Sequence, residues 1–237
     1  MQKPVSLSYL IEDNAEGRKA AQRLVSVAFS IILVNRLKSD IDNFITIAYA
    51  ERKYPLIKKE APGDLEKLFV KSLRVVRRLI EEKALRSVAV TIARNDEKPL
   101  EIIDQYRIKV KFAEDNCVPE DGTPFQIKLH SRNMLDELAR YSSMGVKLPE
   151  DAQVFITYET SSPDVIDENS KDFAGIVPHK HDESVLDTMP SKAFGRLDTP
   201  YAYVAMKAWS KNILQKKLEI SKVSSATSSS IFDCTYA

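Results

Sequence analysis

The spacing of the apolar residues changes in the middle of the chain, and this change constrains the fold more than any other feature. From Asp64 to residue 80, apolar side chains recur at helical spacing, which predicts a helix with Asp64 as its N-cap. Residues 87–93 and 103–112 have the pattern of strands, and the turn-like stretch 95–99 separates them. The chain therefore combines helices with neighbouring strands, which predicts a fold of mixed α and β elements.

Further patterns complete the predicted core. Residues 15–37 have a wide apolar stripe at helical spacing, which is typical of a central and heavily buried helix. A third helix is predicted from Ser131 to Gly145, and an alternating strand from 153 to 160. Residues 201–209 predict a last strand. The side chains that share one face of this strand are Tyr201, Tyr203, Ala205 and Trp209.

The segment 161–200 breaks this regularity, because it is rich in acids and proline and poor in apolar residues. Between Glu159 and Asp187 there are eight acids and two lysines, a formal charge of −6. A segment of this length without an element of its own indicates a binding loop, a lid or disorder. We therefore divide the chain into an N-terminal arm (1–14), a core (15–160), the irregular segment with the last strand (161–210) and a basic, serine-rich tail (211–237).

Composition and charge argue against several classes of function. Lys and Arg number 35 against 34 Asp and Glu, a net charge of +1, so we expect any DNA contact to be weak or indirect. The most apolar run, 24–34, is far shorter than the roughly 20 residues of a bilayer span, and the N-terminus lacks a secretory pattern, so we expect no membrane contact. Two cysteines without a CxxC pair indicate a reducing compartment, cytosol or nucleus.

Basic residues cluster in two places. One cluster comprises Lys67, Lys71, Arg74, Arg77 and Arg78 on the predicted helix, and the other comprises Arg52, Lys53, Lys58 and Lys59. We interpret both as solvated faces. The alternative is sequence-independent contact with DNA phosphates.

Candidate catalytic and metal-binding groups are sparse. His179, His181 and Asp182 could hold a metal ion, but no second cluster accompanies them. Cys117 and His130 could act as nucleophile and base, yet Cys117 stands in a polar stretch. The chain has no phosphate-binding, dinucleotide-binding or serine-hydrolase motif. We therefore expect no enzymatic activity, no metal and no cofactor.

Four blocks of the chain carry a family resemblance. They are residues 20–37 with Arg36, the run 64–112, the stretch from Leu148-Pro149 to Pro163-Asp164, and Phe194-Gly-Arg-Leu-Asp-Thr-Pro-Tyr201. In this order the blocks resemble the HORMA domain, and the last two are similar to its meiotic chromosome-axis branch. The resemblance covers roughly residues 15–210. It implies an α+β fold with central helices packed on a mainly antiparallel sheet, followed by a C-terminal safety-belt segment.

The resemblance implies a way of binding peptides. In this family the segment corresponding to 161–210 is a mobile safety belt, which wraps a short partner peptide called the closure motif. The peptide would be added as a strand along 153–160, and the belt would close by pairing 201–209 with 103–112. The implied peptide-binding residues are Val154, Phe155, Ile156, Thr157, Tyr158 and Glu159. The implied closure residues are Tyr201, Tyr203, Ala205 and Trp209 on the belt and Tyr106, Ile108 and Val110 on the core.

The resemblance also implies a function and partners. The function is that of a non-enzymatic scaffold on meiotic chromosomes in the nucleus, supporting homologue pairing, synapsis within the synaptonemal complex and crossover control. The partners are closure-motif peptides of axis proteins, other HORMA proteins, and an AAA+ remodeller with its adaptor. The chain's own tail, at 230–236, is a candidate closure motif in cis or in trans. Two alternatives stay open: a spindle-checkpoint-type HORMA adaptor, and a small α+β enzyme with its active site under 161–200.

Overall fold

The computed structural model describes residues 7–94, 101–113, 123–161, 177–178 and 184–211. The helices in these ranges are α1 (Leu7–Asn35), α2 (Asp64–Glu81), α3 (Pro124–Ser143) and the short α4 (Ser184–Asp187). The strands in these ranges are β1 (Phe44–Tyr49), β2 (Arg52–Ile57), β3 (Leu85–Arg94), β4 (Glu101–Phe112), β5 (Ala152–Thr160), β6 (Val177–Pro178), β7 (Ser191–Asp198) and β8 (Ala202–Ser210). No helix in the described ranges is long and apolar enough to cross a membrane.

Six of the strands form one sheet, in the order β6-β5-β3-β4-β8-β7. Every neighbouring pair is antiparallel except β5 and β6, which are parallel. The strands β1 and β2 form a separate antiparallel hairpin. The predicted α+β fold with a mainly antiparallel sheet is thereby confirmed.

The helix α1 lies at the centre of the molecule. Its residues from Leu24 to Leu33 are all buried, because the wide apolar stripe is covered on several sides. Phe29 packs edge-on against Phe69 of α2, with ring centroids 5.6 Å apart. These side chains share one apolar core with the inner face of β3, including Val88 and Val90. The helices therefore cover one face of the sheet.

The helices begin at residues different from those predicted. The helix α1 begins at Leu7, so residues 7–14, assigned to an N-terminal arm, are helical. The start was misplaced because the regular apolar stripe begins only near Ala21. The N-cap of α2 is Gly63, and Asp64 is the first helical residue rather than the cap.

The helix α3 begins well before the predicted Ser131. It begins at Pro124, where Thr123 is the N-cap and its hydroxyl accepts a hydrogen bond from the backbone N–H of Gln126. Proline suits the first helical position because it has no N–H to satisfy there. Ser131 is buried within the helix and accepts a hydrogen bond from the Tyr49 hydroxyl at 3.1 Å.

The sequence patterns missed four of the described strands, namely β1, β2, the two-residue β6 and β7. The β1–β2 hairpin turns through Ala50 and Glu51, which both have positive φ, without the glycine that usually marks such a turn. The strand β7 contains an irregularity between Ala193 and Gly195, where Gly195 has a φ of 103°. A bulge of this kind interrupts the alternation that identifies a strand.

Candidate functional site

The strand β5 has an incompletely paired outer edge. On its inner side it pairs with β3 along its whole length. On its outer side β6 pairs only with Thr157 and Tyr158. In the described part of the chain no other strand pairs with this edge. Free backbone N–H and C=O groups along an edge can accept one more strand.

The six residues predicted to bind a peptide all lie on β5, but they differ in burial. Ile156, Thr157 and Tyr158 are buried, whereas Val154 and Phe155 are half-buried. Glu159 is exposed, and one of its carboxylate oxygens accepts a hydrogen bond from the Ser87 hydroxyl at 3.0 Å. The buried residues could therefore contribute to binding only through their backbone. Their role in binding remains a prediction.

The β7–β8 hairpin forms the opposite edge of the sheet. The strand β8 pairs antiparallel with β4, from Asp104 opposite Ser210 to Phe112 opposite Ala202. The predicted core-side closure residues take part in this register. Their partners are Ala208 for Tyr106, Met206 for Ile108 and Val204 for Val110.

The contacts of β8 with the main core come from the face that the sequence analysis did not choose. Its core-facing residues are Ala202, Val204, Met206 and Ala208. Tyr203 is half-buried and Ala205 is exposed on the other face, while Tyr201 is buried just before the strand. The core-facing positions of β8 thus hold aliphatic side chains, and its aromatic Tyr203 lies on the outer face.

Trp209 belongs to the same outer face but is buried there. It packs in a small apolar cluster with Ile102, Leu186 and Met189, separate from the main core. The Arg107 guanidinium and the Lys207 ammonium lie 5.4 and 4.7 Å from the centre of its ring. Trp209 therefore connects β8 with α4 and the start of β4.

The turn between β7 and β8 is anchored on two helices. The Thr199 hydroxyl accepts a hydrogen bond from the Ala202 N–H at 2.9 Å, which closes the turn. The Tyr201 hydroxyl donates to the backbone carbonyl of Ile80 at the end of α2. A Cβ on Gly17 of α1 would approach the Tyr201 Cβ to 3.0 Å, so glycine permits this close contact. This anchor explains the threonine and the tyrosine of the fourth sequence block.

Replacing Tyr201 with Phe should weaken the anchor. The variant leaves the Ile80 carbonyl without this donor, so we expect a loss of about 1 kcal/mol in the free energy of unfolding. Hydrogen exchange in 191–210 should also become faster. Urea denaturation and exchange mass spectrometry would measure both effects. Tyr203→Phe is the matched control, because its ring is half-buried over Arg196. Equal losses in the two variants would contradict the anchoring role.

A buried ion pair joins α1, β4 and the segment that leads into β5. Arg36 Nε donates to the Asp104 carboxylate, and these side chains are only 3% and 1% exposed. Arg36 Nη1 also donates to the Val146 carbonyl at 2.5 Å. A Cβ on Gly145 would lie 2.7 Å from Nη1, so the guanidinium fits beside this residue only because it is glycine. The ion pair therefore holds in place the segment that leads into β5, the strand with the incompletely paired outer edge.

Two phenols lie beside this ion pair. Burial, with the negative charge of Asp104 adding to it, raises the pKa of Tyr141 to about 12. The same two causes raise the pKa of Tyr106. The rings of Tyr106 and Tyr141 meet edge-on at 6.4 Å, and Tyr141 meets Phe194 of β7 at 5.3 Å. Both phenols therefore stay protonated, and the aromatic contacts extend from β4 through α3 to the hairpin.

Several predicted features lie outside the described residues. They are the turn 95–99, Cys117, Pro163-Asp164, His179, His181, Asp182 and the tail 212–237. His130 is half-buried on α3. Among the described residues, no group of His, Cys, Asp and Glu could hold a metal ion.

These features define an α+β domain in which, within the described residues, the outer edge of β5 is paired at only two positions. The β7–β8 hairpin, called the strap below, pairs with β4 in the opposite half of the sheet. The solved structures that are similar to this domain include two from C. elegans and one of the mitotic checkpoint complex. C. elegans HTP-1 bound to the HIM-3 closure motif has a TM-score of 0.68 and 16% identity, over 84% of this chain and 92% of that chain. C. elegans HTP-2 bound to HTP-3 closure motif 1 has a TM-score of 0.67 and 15% identity, over 84% and 88%.

The third structure is a chain of the mitotic checkpoint complex, with a TM-score of 0.59 and 12% identity, over 83% of this chain and 99% of that chain. No family model matches the sequence, and no curated protein matches it. The chain has the HORMA-domain fold, as the four sequence blocks predicted.

Proposed function

We propose that this chain is a non-enzymatic scaffold of the meiotic chromosome axis, located in the nucleus, that captures closure-motif peptides as added strands. The observation that carries the proposal is the outer edge of β5, which β6 covers at only two positions. The stretch 148–164 and the block 194–201, which resemble the meiotic branch, support the meiotic role. The likeness to HTP-1 and HTP-2, both solved with closure motifs, supports peptide capture.

The proposed mechanism separates affinity from release. A peptide along β5 gains backbone hydrogen bonds, while Val154 and Phe155 offer side-chain contacts that select its sequence. The belt segment 161–210 would wrap the peptide, and the strap β7–β8 would anchor the C-terminal part of this segment through the β4 ladder and core burial. Release then requires local unfolding of the strap. This is the step at which an AAA+ remodeller with its adaptor would act, and other HORMA proteins would be joined through their own closure motifs.

A spindle-checkpoint-type adaptor is the second candidate. It is favoured by the likeness to a chain of the mitotic checkpoint complex, although that TM-score is lower than those of the HTP structures. Binding to peptides tiled from meiotic axis proteins and from checkpoint proteins distinguishes the two roles. The peptide 228–237 of this chain belongs in the same panel, as the test of its own tail. Catalytic turnover of a substrate at a site covered by residues 161–200 would instead favour the enzyme alternative.

A proline scan of 153–156 tests whether a peptide is added to the edge of β5. Along a strand, successive backbone N–H groups point alternately to the two neighbouring strands. Proline has no N–H, so at every second position it removes a hydrogen bond to β3, and at the positions between it removes a hydrogen bond to the peptide. At the positions whose N–H points outwards to the peptide, we expect at least a tenfold loss of peptide affinity, which corresponds to about 1.4 kcal/mol. Fluorescence polarisation with the best peptide of the panel measures this loss.

The positions whose N–H points inwards to β3 are the internal control of the scan. Proline there should lower the melting temperature more strongly, since it breaks the ladder with β3. Unchanged affinity in every variant that remains folded would rule out strand addition on β5.

A further inference from the structure

A groove lies between α1, α2 and the β1–β2 hairpin, on the helical layer of the molecule. It consists of two cavities of about 450 and 630 Å³ that share Leu56 and Arg77 in their walls. None of the residues that line the two cavities belongs to β5, β7 or β8. The groove is therefore separate from the outer edge of β5 and from the strap.

The floor of the larger cavity is apolar. Ile45 and its cross-strand partner Leu56 face Val70 and Leu73 of α2 across it. Ile45 is 48% exposed, and Leu56 and Val70 are half-buried. Binding is favourable when a partner's apolar side chains cover a concave apolar surface of this kind, because the apolar area is removed from water.

The rim of the groove is basic. Its cations are Lys58, Lys59 and Arg74 around the larger cavity, Lys19 and Arg23 around the smaller one, and Arg77 in both. The only carboxylate among the lining residues is that of Glu60. The chain as a whole carries a net charge of only +1, so this is a local concentration of positive charge. The fold thus brings together members of the two basic clusters of the sequence, Arg74 and Arg77 from one and Lys58 and Lys59 from the other.

Some of these cations are already engaged and others are not. Lys19 pairs with Glu16 at 2.7 Å, and Arg77 donates to the Ser26 hydroxyl at 3.3 Å. Within the described ranges Arg23, Lys59 and Arg74 form no ion pair. Lys59 and Arg74 are also exposed on two sides of the larger cavity. They are placed to pair with carboxylates of a molecule that lies in the groove.

We propose that this groove is a second docking site, which binds an acidic partner peptide carrying apolar side chains. The apolar side chains would cover Ile45 and Leu56, while the carboxylates would pair with Lys59 and Arg74. Charge complementarity alone would also fit a nucleic acid. A phosphate backbone needs only the cations, however, and would leave the apolar floor uncovered, so the floor favours the peptide. The domain would then hold a closure motif on the sheet and a different, acidic partner on the helices.

The test uses the full chain and a displayed library of random twelve-residue peptides. Peptides are selected on the wild type and depleted on the double variant Lys59→Glu/Arg74→Glu. The enriched peptides are labelled with fluorescein, and their affinities are measured by polarisation. We expect sequences that combine several acids with two or more apolar residues. The double variant should bind them at least tenfold more weakly, and binding should weaken as the salt concentration rises.

Two matched controls separate the groove from general surface effects. Lys109→Glu/Lys111→Glu makes the same charge change on exposed residues of β4, outside the groove, and should leave the affinity within twofold of wild type. Ile45→Ser should weaken binding at least threefold, whereas Ile41→Ser, also at an exposed isoleucine but outside the lining, should not. Circular dichroism confirms that each variant is folded.

Three results would overturn the proposal. One is the absence of acidic peptides among those enriched, and another is equal binding by the groove variants and their controls. The third is binding of a labelled DNA duplex, lost in Lys59→Glu/Arg74→Glu, with no effect of Ile45→Ser on any ligand, which would assign the groove to nucleic acid. None of these results bears on peptide capture at β5, because the two sites share no residue.

Discussion

Replacing Asp104 with Asn should lower the free energy of unfolding by about 3–5 kcal/mol, the cost typical of breaking a buried ion pair by removing one partner. The Arg36 guanidinium would stay in its place beside Gly145. It would then be buried at 3% exposure without the carboxylate. Urea denaturation followed by circular dichroism measures the loss.

The matched control for this prediction replaces both partners. In Arg36→Met/Asp104→Leu no charge is left buried, so most of the lost stability should return. The bond from Arg36 to the Val146 carbonyl is also lost there, so the recovery should be incomplete. A loss below 1 kcal/mol in Asp104→Asn alone would show that water reaches the pair.

The order of the main elements could be predicted from the sequence because each has a clear period. The strands β3, β4 and β5 alternate or are rich in β-branched residues, and α1 and α2 have regular apolar stripes. The order of these elements with the block 194–201 was specific enough to indicate the HORMA fold.

The missed elements lack these local signals for identifiable reasons. The hairpin β1–β2 has no glycine in its turn, and the bulge at Gly195 interrupts β7. Ser131 resembled an N-cap, but it is a buried residue inside α3, where tertiary contacts determine its environment. Local patterns identify a regular element more readily than the residue at which it begins.

Features of the site that depend on tertiary contacts could not be predicted in the same way. Arg36 belonged to a recognised block, yet nothing in the sequence identifies Asp104, 68 positions away, as its partner. The face of β8 that meets the main core was not apparent either, since Tyr203 lies on its outer face and Ala202 and Val204 lie on its inner face. Such partners become visible only when the strands are placed side by side.

Trp209→Ala should produce the largest effect on the strap. The change removes a large buried side chain, and a loss of about 3 kcal/mol is expected from burial and the cavity that is left. The cluster of Trp209 is separate from the main core, so the damage should be confined to α4, β7 and β8. Exchange mass spectrometry should show faster exchange in 184–210 while α1 and β3 stay protected.

The same variant tests the link between the strap and peptide release. If the strap must open before a closure-motif peptide leaves, a locally weakened β8 should raise the dissociation rate at least tenfold, while association changes little. Tyr203→Ala is the control, because this ring is half-buried on the same face and lies over Arg196 rather than in the Trp209 cluster. Faster exchange with an unchanged dissociation rate would show that the peptide leaves without opening of the strap. Release would then be controlled at the β5 edge alone.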